Sequence, residues 1–420
     1  MTSYKKIMNI ALPAMAENFL QMLMGMVDSY LVASLGLIAI SGVSVAGNII
    51  TIYQAIFIAL GAAISSLISK CLAQGDRERL AYHTAEAVKL TLLLSLVLGM
   101  ISLLFGRQML DLLGTEKSVA EAGGQYLALV GGTIVLLGLM TSFGALVRVT
   151  SNPRVPMYVS LLTNVLNALF SGVGIYVFHL GIVGVALGTV LARLIGVVIL
   201  WRELDLFAIH WSWSLDRELL RLSLPAAGER LMMRAGDVVI IAIVVVFGTD
   251  AVAGNAIGEV LTQFNYMPAF GVATATVMLV AHAVGEGDMK EVGLIGKRTF
   301  WLSFACMLPL ALCIFALGRP LTLLYTDNSG AITASLSVIL FSLLGTPMTV
   351  GTVIYTAVWQ GLGNARLPFY ATTVGMWLIR IITGYLLGVT FGLGLPGVWA
   401  GTLLDNGRYR EQPLREQERI

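Results

Sequence analysis

Apolar runs separated by short polar loops fill this chain from end to end, and each run approaches the length of about 20 residues that a membrane-crossing helix needs. They cover 7–35, 39–69, 87–105, 124–147, 157–178, 182–201, 219–247, 252–283, 299–317, 332–358 and 367–391, and a twelfth begins near Leu395. Inside the first run the pattern changes. Glu17, Gln21, Met24 and Asp28 are spaced 4, 3 and 4 apart. On a helix such side chains stay within about 60° of one another, so they form one polar stripe on an otherwise apolar segment. Pro13 stands at the head of that stripe. It cannot donate to the carbonyl four residues back, that of Asn9, and its ring crowds that turn, which predicts a weak point in the helix.

The run pattern occurs twice. Pro225 follows Pro13 at a shift of 212 (225 − 13), and the same shift superposes Ala14 on Ala226, Glu17 on Glu229, Gly36 on Gly248, Gly42 on Gly254, and Gly75-Asp76 on Gly287-Asp288. Asn152, Arg154, Pro156 and Tyr158 then meet Asn364, Arg366, Pro368 and Tyr370. After one inserted residue, GVALGT ending at Thr189 meets GVWAGT ending at Thr402. The expected fold is therefore an all-α polytopic membrane protein of two six-helix bundles, an internal duplication with about twelve transmembrane helices. The expected divisions are a six-helix lobe at 1–201, a linker at 202–218, a second lobe at 219–406 and a polar tail at 407–420. Only about ten apolar residues follow Leu395 before the tail, so the last helix reads as truncated or altered.

Composition agrees with the pattern: 57% of the 420 residues are hydrophobic and 12% are charged, too few charges for a soluble domain of this length. The net charge of +2 says little, but its placement says more. Lys5, Lys6, Lys70, Arg77, Arg79, Arg148, Arg154, Arg202, Arg217, Arg221, Lys290, Lys297, Arg298 and Arg366 fall on one side of the expected topology, against Arg107, Lys117 and Arg319 on the other. That asymmetry predicts a cytoplasmic N-terminus in a multi-pass cytoplasmic (inner) membrane protein. The first run holds Glu17 and Asp28 and lacks a small-residue cleavage site, so it reads as a retained span rather than a signal peptide. Three cysteines without a CxxC pair and four histidines without ligand spacing leave no disulfide framework or metal constellation to expect. An intramembrane enzyme or a receptor fits composition alone, but no nucleophile-base pair supports the enzyme, and the duplication favours a carrier.

Ionisable residues inside a bilayer are costly and face partners, cavities or pathways. Glu17, Asp28, Glu229, Asp237 and Glu259 are the five strongest cases. Arg230, Arg234 and Asp237 share one helical arc, so an internal ion pair explains them without function. Asp28 has no arginine or lysine within a turn of its own helix. A proton or a sodium ion would neutralise such a carboxylate, as a coupling site requires. The fifth run offers Asn164, Asn167 and Ser171 at spacings of 3 and 4 on one face, either as its partners or as glue between helices. Met15, Met22, Met24 and Met26 on the first run suit an adaptable cavity wall or a lipid-facing surface equally well.

With these motifs in view, the chain from about 7 to 405 resembles the multidrug and toxic compound extrusion (MATE) family of antiporters. The carriers are PAMAENFLQMLMGMVDSYLVASLG, the doubled LAQGD and AVGEGD, the doubled SNPRVP and GNARLP, TNVLNALFS, and WLIRI. The resemblance implies a two-lobed exporter that exchanges protons or sodium for lipophilic, often cationic compounds by alternating access. It implies a cation site in the first lobe at Asp28 with Asn167 and Thr189, beside Asn164 and Ser171, and a coupling motion that bends the first helix at Pro13. Glu17, Gln21, Met24, Glu229, Arg234 and Glu259 are the candidate cavity residues. The expected partners are lipophilic or cationic small molecules and membrane lipid, with no nucleic acid, for a monomer with no cofactor beyond the coupling ion and no bound metal other than sodium at Asp28 as the alternative to a proton.

The chain departs from the family pattern at two places. Ser171 stands where some relatives carry an aspartate, which favours a proton over sodium, and the tenth run has no carboxylate to pair with Glu229. The alternative within transport is a lipid-linked glycan flippase, for which Arg230, Arg234 and Arg380 would supply the cationic cavity that pyrophosphate needs.

Overall fold

The computed structural model describes residues 3–112, 114–204 and 216–407, and every regular element in them is helical. In order these are α1 (Tyr4–Ala33), α2 (Leu37–Gln74), α3 (Arg77–Leu112), α4 (Lys117–Tyr126), a π-helical turn at Leu127–Gly131, α5 (Val135–Thr150), α6 (Arg154–Tyr176) and α7 (Gly181–Arg202). Then follow α8 (Arg217–Val245), α9 (Thr249–Glu286), α10 (Met289–Ala316), α11 (Gly318–Leu323) and α12 (Ser329–Gly361). The last stretch is α13 (Arg366–Val374), a π-helical turn at Gly375–Ile381, α14 (Ile382–Tyr385), a second π-helical turn at Leu386–Thr390, and α15 (Gly394–Gly407).

Nine helical stretches among the described residues are long and apolar enough to cross a membrane, and ten if Lys117–Gly131 and Val135–Thr150, bent by 44° at their break, form one span. The chain is thus an all-α polytopic membrane protein. Two expected spans fall outside this set for different reasons. The described helix α8 carries Arg217, Glu218, Arg221, Glu229, Arg230, Arg234 and Asp237, which keep its hydropathy low. The described helix α15 has 14 residues. At about 1.5 Å per residue it reaches roughly 21 Å, short of the 30 Å or so of a hydrocarbon core. The expected linker is described only at its ends, and the expected tail beyond Gly407 lies outside the described residues.

The doubled motifs prove to be helix punctuation. Gly75 and Gly287 close α2 and α9 in the left-handed conformation, with φ of 68° and 77°. That conformation costs a Cβ-bearing residue and is free for glycine. Asp76 and Asp288 then open α3 and α10: each accepts the backbone N–H three residues on, from Arg79 and Glu291, both at 3.0 Å. Asn152 accepts from the Arg154 N–H at 3.0 Å in the same manner.

The residues fall into two compact units, one of Ala16–Ala227 and one of Met1–Met15 with Gly228–Ile420. The boundaries lie just after Pro13 within α1 and just after Pro225 within α8. In the unit of Ala16–Ala227, Phe57, Leu110, Leu127, Val130, Ile134 and Val185 are the centre of the core. There α6 and α7 meet backbone to backbone: a Cβ on Gly174 would lie 2.8 Å from the Gly184 Cα, and one on Gly188 would lie 2.5 Å from the Ser171 Oγ. Small residues permit this approach in the absence of a hydrophobic drive between helices. In the other unit, Ile7 and Ala11 of α1 join Ala269, Val272 and Val280 of α9, with Val292, Met307, Val350 and Ile354. A second cluster joins Ile240 and Val244 of α8 with Leu395, Val398 and Trp399 of α15.

Asp216, ahead of α8, closes a buried polar cluster in the unit of Ala16–Ala227. Its Oδ2 meets the His83 Nδ1 at 2.5 Å, and its backbone N–H donates to the Glu86 Oε2 at 3.0 Å, while Glu86 pairs with Lys89. Burial pushes the Asp216 carboxyl up, but the His83 hydrogen bond and charge, with the Leu219 and Glu218 N–H groups, outweigh it and hold the carboxyl below its ordinary value of 3.8. A carboxyl depressed by folding stabilises the fold above its unfolded value and loses that contribution as pH falls toward the folded value. Asp216→Ala should therefore lower the thermal midpoint in detergent at neutral pH. The gap from wild type should close in acid, below the ordinary carboxylate range, as unfolding curves across pH will show.

Candidate functional site

The polar stripe of α1 resolves into separate environments. Glu17 is paired with Arg148 of α5, Oε2 to Nη2, at 2.5 Å. Gln21 is exposed and Met24 half-buried. Asp28, half-buried, receives hydrogen bonds on both carboxylate oxygens from the Asn167 Nδ2 of α6, each at 3.1 Å. The Asn167 Oδ1 in turn accepts from the Ser171 Oγ at 3.1 Å and from the Thr189 Oγ1 of α7 at 3.2 Å. Asn167, Ser171 and Thr189 are all buried. Four of the five expected cation-site residues are therefore drawn together from three helices; Asn164 stands apart, with a buried Nδ2 that has no hydrogen-bond partner.

Each contact has a local cause. The 4-residue step from Asn167 to Ser171 sets both on one face of α6, and Gly188 lets α7 come near enough for Thr189 to reach it. A methyl group at Gly188 would sit against the Ser171 Oγ and backbone, with its N at 2.6 Å. Gly188→Ala should separate the helices and cut transport more than Gly172→Ala, whose Cβ would meet nothing within 4 Å; transport by the two variants at matched expression checks this. Asn167→Ala deletes both hydrogen bonds to the carboxylate. Hydrogen bonds to charged groups contribute about 1.5–3 kcal/mol, so coupled transport should fall by at least about tenfold.

One charged residue of α7 escaped the sequence reading. Arg193 lies one turn beyond Thr189 on α7, on the same face. Asp28 has no arginine or lysine within a turn on its own helix, as read, while α7, which carries Thr189, has Arg193 one turn further on. The 4-residue step from Thr189 to Arg193 was the available signal.

The unit of Gly228–Ile420 repeats part of this layout with different chemistry. The Arg380 Nε donates to the Thr402 Oγ1 at 3.0 Å, a pair 22 residues apart, as Asn167 and Thr189 are. The Arg380 Nη1 also lies 3.8 Å from the Asp237 Oδ1, and the Arg234 Nη1 lies 4.0 Å from the Asp237 Oδ2. Glu229 is buried and accepts from the Thr372 Oγ1 at 3.0 Å, and Glu259 is exposed and accepts from the Asn255 Nδ2 at 3.1 Å. No cluster of three or more metal-ligating side chains occurs among the described residues.

Long apolar helices with a polar cluster at intramembrane positions make a polytopic membrane protein with a buried polar site. The MatE family model matches residues 13–173 and again 225–386, and this chain belongs to that family of secondary transporters. It is 27% identical to a Thermotoga maritima protein named "Probable multidrug resistance protein NorM", over 99% of this chain and 95% of the relative. It is 24% identical to "Multidrug resistance protein NorM" of Vibrio cholerae, over 96% and 93% respectively. Among solved structures, a MATE protein crystallised in a bent conformation superposes with a TM-score of 0.90 at 20% identity, covering 99% of this chain and 95% of that one.

Proposed function

We propose that this protein is a multidrug exporter that exchanges protons for lipophilic or cationic small molecules by alternating access, with Asp28 as the coupling carboxylate. The observation that supports it is the arrangement at Asp28, a carboxylate within a membrane helix whose oxygens are both held by one amide backed by two hydroxyls. Protonation makes Asp28 neutral and favours one arrangement of α1; deprotonation restores an anion that attracts a cationic drug. Competition for one charge gives exchange. Pro13, beside the change of unit within α1, is the hinge in this reading.

The finer architecture belongs to the same proposal. The two family matches begin 212 residues apart (225 − 13) and support twelve spans in two duplicated lobes, 1–201 and 219–406, joined by 202–218. The lysine and arginine asymmetry supports a cytoplasmic N-terminus in the inner membrane; the reading takes the protein as a monomer. Glu17, Gln21, Met24, Glu229, Arg234 and Glu259 remain the proposed cavity residues. A glycan flippase is less well supported, because Arg234 and Arg380 both lie beside Asp237 rather than standing free for pyrophosphate. Ethidium efflux from cells expressing the chain tests the reading: faster efflux than vector controls is expected, and efflux at the control rate would overturn it.

A further inference from the structure

We propose that Tyr4, Lys5, Lys297, Arg298 and Trp301 form a seat for the headgroup of an anionic phospholipid, on the unit of Met1–Met15 with Gly228–Ile420. This goes beyond the exporter reading and does not depend on it. Three features carry the inference.

The first is the order of side chains along α10. Lys297 and Trp301 are exposed one turn apart, Trp301 to 60%, and Leu310, Leu312 and Phe315 are exposed beyond them. From Lys297 to Phe315 is 18 residues (315 − 297). At about 1.5 Å per residue that is roughly 27 Å, close to the 30 Å or so of a hydrocarbon core. The helix thus presents a cation, then an indole, then apolar surface, in the order in which a lipid presents its phosphate, its interface and its acyl chains. Neighbouring rings hold the indole in place: Phe300 and Phe304 meet it edge to face, with centroids 5.6 and 5.9 Å away.

The second is charge. The Arg298 guanidinium sits 5.8 Å from the centre of the Tyr4 ring, and Tyr4 is itself 50% exposed. This cation–π contact ties α10 to the start of α1, where Lys5 and Lys6 follow. Across 4–6 and 288–301, five basic residues (Lys5, Lys6, Lys290, Lys297 and Arg298) stand against two acidic ones, Asp288 and Glu291. Lys5, Lys6 and Lys297 are exposed and enter no salt bridge among the described residues. Basic side chains clustered at the end of a membrane helix attract anionic headgroups.

The third is the other half of the chain. At the shift of 212, Tyr4 corresponds to Asp216 (216 − 4), Arg298 to Glu86 (298 − 86) and Trp301 to Lys89 (301 − 89). There the junction is sealed: the Asp216 N–H donates to the Glu86 Oε2 at 3.0 Å, Glu86 pairs with Lys89, and all three residues are buried. Equivalent segments therefore meet twice, once closed by charges that balance one another and once open, aromatic and with positive charge in surplus. A joint between helices needs only the closed form. The open form has a place for an anion from outside the protein.

The test is native mass spectrometry of the purified full-length chain, titrated with phosphatidylglycerol or with phosphatidylcholine of the same acyl chains. Wild type should bind phosphatidylglycerol at least about tenfold more tightly. Lys297→Gln with Arg298→Gln should remove most of that preference. Lys290→Gln with Arg366→Gln, an equal loss of charge from exposed positions of the same unit, should keep it within about twofold. Lys297→Gln alone changes an exposed side chain and keeps the test decisive if the double variant fails to fold; it should weaken binding about fivefold. Tyr4→Phe should retain the preference and Tyr4→Leu reduce it. Equal binding of the two lipids by wild type would overturn the proposal. So would equal losses in the two double variants, which would mean diffuse attraction, and so would displacement of phosphatidylglycerol by millimolar inorganic phosphate, which would mean a phosphate site rather than a lipid seat.

Discussion

Asp28→Asn should reduce drug export to the level of cells carrying no transporter, with the protein present in the membrane at its wild-type amount. Asparagine keeps the size of the side chain and can still hydrogen-bond Asn167, so the fold of the α1–α6 contact survives. On the proposed mechanism, what disappears is the alternation between a neutral and an anionic state, and with it the competition between proton and drug for one charge. Resistance assays on cells, read beside quantitative blots of the membrane fraction, check the result. Normal efflux by this variant would show that coupling lies elsewhere.

Arg148→Ala should give the largest loss of stability of any single change near the site. Arg148 and Glu17 are both largely shielded, with side-chain exposures of 12% and 19%. Removing one member of a buried pair leaves the other charge uncompensated, at a cost of about 3–5 kcal/mol. The thermal midpoint in detergent should fall by several degrees or more. Exchanging the two residues, Glu17→Arg with Arg148→Glu, should recover part of the loss, and a double variant no better than Arg148→Ala would refute the ion pair as the cause.

Much of this molecule was legible because lipid restricts the alternatives. Apolar run length predicted the helices, and step sizes of 3 and 4 put Asn167 and Ser171 on one face and Glu17 and Asp28 on another. The pairing of Glu17 with Arg148 could not be read in this way. It joins α1 to a helix more than a hundred positions later, and the repeat alignment pointed instead to Glu229, which the structure gives a threonine partner rather than an arginine. Arg193 was missed for a related reason. It sits in the middle of the apolar run 182–201, and the sequence reading weighed the carboxylates of the spans rather than this lone arginine one turn beyond Thr189. The doubled Gly-Asp and Asn-x-Arg-x-Pro motifs were read as a mark of repetition, and in the structure their glycines, aspartates and Asn152 end and start helices. Conversely 219–247 was read as an apolar run long enough to span, but the seven charges of α8 keep it out of the set of membrane-crossing helices, and in lipid its neighbours would have to satisfy them.

The most direct test of the account is transport of one fluorescent cation into proteoliposomes under a single gradient at a time. Uptake should be driven by a pH gradient alone, fail under a sodium gradient at uniform pH, and vanish under both in Asp28→Asn. Uptake driven by sodium with no pH difference, or pH-driven uptake undiminished in Asp28→Asn, would contradict it.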